Sequence, residues 1–152
     1  MNIKFLKSSE KKKLLTELEE QFGITKLPYL LVETGKQKIR GFSGTMIKEE
    51  IIELGKIANV EIVGLYLVKR EKELRLSLDA TQILANKINK NILEINNKQV
   101  EEWLGGKNLD IQKESGIYII KYKDTGDFIG CGISDGKKII NHIPKERRIR
   151  RS

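Results

Sequence analysis

A single cysteine, Cys131, and a single histidine, His142, are all that the 152 residues contain of either type. One of each builds neither a disulfide framework nor a His/Cys zinc site, and no carboxylate cluster has calcium-loop spacing, so no metal is expected. Nucleotide cradles are missing too. The sequence has no G-x-x-x-x-G-K-[ST] loop and no G-x-G-x-x-G between a strand and a helix, and no cofactor is expected. No apolar run approaches the roughly 18 residues that a membrane-crossing helix needs. The opening MNIKFLKSSEKKK has charge after a short apolar stretch and no small-residue cleavage site, which does not read as a signal peptide. With the lone cysteine, this fits a reducing, cytoplasmic setting.

What is present is charge, unevenly placed. The net charge is +8, from 29 basic and 21 acidic residues. Residues 1–90 carry 17 Lys/Arg against 12 Asp/Glu, residues 91–144 carry 7 against 8, and Lys145 to Arg151 carry five bases and one acid. The second part is basic only at its edge, which points to a polyanionic partner more sharply than a uniformly basic surface does. Four of those five bases are Arg, whose guanidinium forks onto phosphate, although Lys outnumbers Arg elsewhere. A solvated basic tail is the alternative reading.

Periodicity divides the chain near residues 86–92, where the apolar pattern lapses. Before that point NIKFL reads as a strand and SSEKKKLLTELEEQFG as a helix capped by Ser8 or Ser9 and stopped by Gly23. PYLLVETGKQKIRGFSG reads as two strands about Gly35, and TMIKEEIIELGKIA as a helix capped by Thr45. VEIVGLYLVKREKELRLSL reads as two strands, and Asp79 with Gln82 as a capping box opening ATQILANKI. After it come a strand NILEIN, a short helix NKQVEEWLGG and a polar connection DIQKESG. The strands IYIIKY, DFIGCGIS and KKIINHI follow, joined by the Gly/Asp turns KDTGD and SDGK. The expectation is an α+β protein: a small mixed α/β unit over residues 1–88, then a mostly β unit over residues 91–152.

Catalysis has little to stand on. Cys131 lies between two glycines in an apolar strand, with no neighbour in sequence to lower its pKa, and reads as a buried hydrophobe. His142 has no recognisable nucleophile to serve. Trp103, with Val100 and Leu104, reads as a core anchor rather than a base-stacking platform. Gly105 and Gly106 can end their helix with φ > 0 and also let a partner's backbone come close.

The second part resembles a PUA domain, the small pseudo-barrel named for pseudouridine synthases and archaeosine transglycosylases. ILEINNKQVEEWLGG is similar to that family's opening strand, helix and glycine loop. GIYIIKYKDTGDFIGCGISDG resembles its central hairpin, and KKIINHIPKERR its closing strand with a basic exit. The combination resembles the RNA-binding PUA-like region of RsmF and the Nol/Nop/Sun group of RNA methyltransferases, in which a pre-PUA unit commonly precedes; residues 1–88 fit that unit by element order. The methyltransferases' Rossmann-like domain and catalytic Cys motifs have no counterpart here. The resemblance therefore implies a non-catalytic RNA-binding protein, not an enzyme. It would act on rRNA or tRNA in RNA modification or ribosome biogenesis, as accessory to an RNA methyltransferase or beside a ribosomal protein. The alternative is a protein–protein adaptor in such a complex. Carried onto this sequence, the family's RNA surface falls on Gly105, Gly106, Lys107, Lys137, Lys138, Lys145, Arg147 and Arg148. Arg150 and Arg151 are added on charge alone.

Overall fold

A computed structural model describes residues 3–35, 37–42 and 65–149. The expected helix at 45–58 lies outside these residues. Among them, β1 (Ile3–Phe5), β2 (Leu30–Thr34), β3 (Lys38–Phe42), β4 (Leu65–Arg70) and β5 (Leu74–Leu76) form an antiparallel sheet in that order. Helix α1 (Ser8–Phe22) buries Leu14, Leu18 and Phe22, one face at helical spacing. It starts one residue earlier than the serines suggest. Lys7 stands at the cap, and its N–H donates to the Glu10 carboxylate at 3.2 Å. Gly23 ends the helix in the left-handed region, at φ 81.

Helix α2 (Leu78–Ile83) corrects another cap. Ser77 Oγ accepts from the Ala80 N–H at 3.0 Å, which puts Asp79 in the first turn with its carboxylate free to act elsewhere. The boundary segment is tied back to α1. Asn89 N–H donates to Phe22 O, and Asn91 Nδ2 donates to Gln21 O.

The second sheet comprises β6 (Ile92–Ile95), β7 (Gly116–Tyr122), β8 (Phe128–Ser134) and β9 (Ile139–Asn141), in that order. The pair β6–β7 is parallel and the others are antiparallel. Between β6 and β7 runs α3 (Asn97–Leu104), whose Asn96 and Gln99 exchange side-chain and backbone bonds as a complete capping box. One core cluster joins Leu14, Leu18 and Phe22 of α1 to Ile117, Ile119, Phe128 and Cys131 of the second sheet. The apolar burial of the two parts is continuous. A second cluster surrounds Trp103 beneath α3. Among the described residues no helix is long and apolar enough to cross a membrane.

Candidate nucleic-acid interface

The end of α3 is held by an anchor and a clasp. Trp103 is 0% exposed and donates from Nε1 to Ile129 O at 2.7 Å, so it is core and offers no face to a base. Gly105 caps the helix with ordinary right-handed φ, and only Gly106, at φ 91, takes the left-handed region. The turn is then clasped by buried Asn141 of β9. Its Nδ2 donates to Trp103 O at 2.7 Å and to Lys107 O at 2.9 Å, and its Oδ1 accepts from Ile143 N–H at 2.8 Å. Asn141 fixes the glycine turn to the closing strand. Sequence reasoning passed over it because its partners lie 34 and 38 residues away.

The segment after β9 returns to the same place. After the three-residue 3-10 turn Lys145–Arg147, Ile149 N–H donates to Leu104 O at 2.8 Å and Arg148 Nε donates to Ile143 O at 3.0 Å. The Arg148 side chain lies over Gly106, where a Cβ would stand 2.4 Å from its Cδ. The left-handed φ favours glycine there, and an added Cβ would push the flexible Arg148 side chain aside. Together the helix end and the tail enclose an open groove of about 1130 Å³. Lys98, Lys107, Lys145 and Arg148 line it with positive charge, Glu101 and Glu102 lie on its helix wall, and Val100, Leu104 and Ile149 supply apolar surface.

Of the residues expected to act together, Gly105, Gly106, Lys107, Lys145 and Arg148 converge here. Arg147 does not. Its two terminal nitrogens donate to the two Asp79 oxygens, each at 3.1 Å, which turns it to another face. Lys137 and Lys138 are exposed at the β8–β9 turn, where their N–H groups hold the Asp135 carboxylate below its usual pKa, and they do not line the groove. Arg150 and Arg151 lie outside the described residues. Lys98 was missed. Its signal was its place on α3, one turn before Glu102 and two turns before Gly105.

Neither candidate catalytic side chain is prepared for chemistry. Burial pushes the Cys131 thiol up to about 12, so it stays protonated at neutral pH, the reverse of a nucleophile's need. His142 accepts at Nδ1 from Arg75, and burial followed by the nearby Arg75 charge lowers its pKa. No group of three metal-ligating side chains occurs among the described residues.

Residues 90–149 match the family model described as the methyltransferase RsmF PUA domain. This part of the chain is a PUA domain. The whole fold is also shared. A conserved PUA domain protein from Thermoplasma acidophilum superposes at TM-score 0.62 and 16% identity, covering 94% of each chain. A hypothetical protein from the hyperthermophilic archaeon Pyrococcus horikoshii superposes at TM-score 0.57 and 13% identity, covering 93% of this chain and 94% of that one. The α/β unit ahead of the PUA domain therefore belongs to the common architecture. No curated protein matches in sequence.

Proposed function

We propose that this is a non-catalytic RNA-binding protein whose PUA domain grips structured ribosomal or transfer RNA at the groove between the α3 end and the tail. The observation that carries the reading is the meeting of Gly105–Lys107 with Lys145–Ile149 around four cations. Backbone contacts to phosphates supply affinity, and the glycine turn lets the sugar–phosphate chain approach closely. Glu101 and Glu102 repel phosphates from the helix wall, so the strand lies along the Lys145–Arg148 side and unpaired bases turn toward Leu104 and Ile149. Residues 1–88 act as a pre-PUA unit that orients the PUA domain or recruits a modifying enzyme, a methyltransferase accessory role in the cytoplasm.

Measuring the affinity of a labelled transfer RNA transcript across a salt series tests this. Replacing Lys107 and Arg148 by Ala removes two phosphate contacts, and the log–log salt slope should fall by about 0.7–0.9 for each. Unchanged affinity and slope would remove the groove from consideration. Ile149 is 61% exposed beside Leu104, which favours a second reading, a protein adaptor. An Ile149→Asp variant that loses a stoichiometric protein partner while keeping RNA affinity would support that reading instead.

A further inference from the structure

A second cleft, of about 250 Å³, opens where the N-terminal sheet faces the PUA domain. It lies apart from the groove but backs onto the same segment of chain: Lys145, Arg148 and Ile149 line the groove, whereas Pro144 and Arg147 line the cleft. Its wall is unusual in charge. In the register of the sheet Lys38 of β3 stands directly opposite Lys69 of β4, and Lys69 stands opposite Arg75 of β5. Three cations thus occupy neighbouring positions on one sheet face, and like charges paired across strands destabilise a sheet. Acidic partners offset only part of this row. Among the described residues only Arg75 of the row is engaged by an acid, Glu71 at 3.3 Å, and it also meets His142 Nδ1, while Asp79, the carboxylate lining the cleft, is taken up by Arg147. The Lys38 ammonium lies 5.2 Å from the centre of the Tyr66 ring, and Lys69 has no acidic partner among the described residues.

A row of like charges that the fold tolerates at a cost, facing an open space large enough for a phosphate and its sugar, is arranged for an anion. We propose that this cleft is a second RNA contact, in which Lys38, Lys69 and Arg75 take a phosphodiester of the same strand that occupies the groove. The proposal rests on the RNA-binding reading of the groove. Arg147 closes the far side while its pairing with Asp79 holds it in place. Buried Cys131 and the backbone of Gly130 form the floor. The segment Pro144–Ile149 then acts as a ridge with phosphate contacts on both flanks.

The test compares two double variants of the full chain, Lys38→Gln with Lys69→Gln and Lys107→Gln with Arg148→Gln, using a transfer RNA transcript and, separately, adenosine 5′-monophosphate. The cleft pair should weaken RNA binding and lower the log–log salt slope by about 0.7–0.9. It should at the same time raise Tm, because the cross-strand repulsion is gone. Affinity and stability moving in opposite directions is a signature that a purely structural role does not give. Wild-type RNA affinity and slope in the cleft pair, with weakened binding in the groove pair, would overturn the cleft and leave the groove standing. Loss of mononucleotide binding alone, with RNA affinity intact, would equally overturn it and assign a nucleotide pocket. Full RNA affinity in both pairs would overturn the groove reading and the cleft together.

Discussion

Single side chains carry three expectations. Gly106→Ala forces a side chain into the left-handed region, at about 1–2 kcal/mol, and drives the new Cβ into Arg148. Chemical denaturation should show that loss, and RNA affinity should fall with it because Arg148 is displaced from the groove. Gly132→Ala is the control. Its Cβ would meet Ile139 at 2.5 Å and Trp103 at 2.9 Å, so overpacking costs about 1–3 kcal/mol with no direct effect on the groove. His142 provides a pH dependence. Its folded pKa lies below its unfolded value near 6.5, so the unfolded chain binds the proton first. Stability should therefore fall as pH drops through about 6.5, and His142→Gln should flatten that part of the profile. The lowered carboxylates Glu10 and Asp135 act at more acid pH, below their ordinary 4.5 and 3.8, and leave this window clear. At this scale the sequence was readable where chemistry is local. Trp103 as an anchor and Cys131 as a buried thiol both follow from their neighbours, whereas Asn141 takes its meaning from carbonyls far away in the chain.

Elements were legible through periodicity and turn residues. The hairpins about KDTGD and SDGK and the arrest of α1 at Gly23 follow from turn and cap chemistry. The caps of α1 and α2 were not, because neighbouring residues compete for each one: Lys7 precedes both serines at α1, and Ser77, two residues before Asp79, takes the Ala80 N–H at α2. Asp79 is the instructive case. As a cap it would have been occupied locally; with Ser77 taking that role, its carboxylate reaches Arg147 across 68 residues. Arg147 therefore left the groove, which charge counting along the tail had no means to foresee. Asp79→Asn should release Arg147 at little cost in stability, because the pair is substantially exposed and such pairs contribute only ~0–1 kcal/mol. The freed guanidinium should steepen the salt dependence of RNA binding, and an unchanged slope would show that Arg147 cannot reach the RNA.

At the scale of the whole molecule, the lapse in periodicity near residue 90 marks a change of sheet but not a break in the core. Ile119 and Phe128 of the PUA domain pack in the same cluster as α1. Ile119→Ala should cost about 2–5 kcal/mol and weaken both parts together. Trp103 fluorescence, which reports the PUA domain, and far-ultraviolet circular dichroism, which reports the whole chain, should then give one coincident unfolding transition. Two separated transitions would mean that the halves fold independently. That shared core also sets the two basic surfaces in fixed relation on either flank of residues 144–149. The most direct test of the interface is an amide chemical-shift map of the full chain during titration with a transfer RNA transcript. The expected result is that Gly105, Gly106, Lys107, Arg148 and Ile149 move together and saturate at one stoichiometry. Shifts confined to the Lys137–Lys138 turn, with those five amides unmoved, would contradict it.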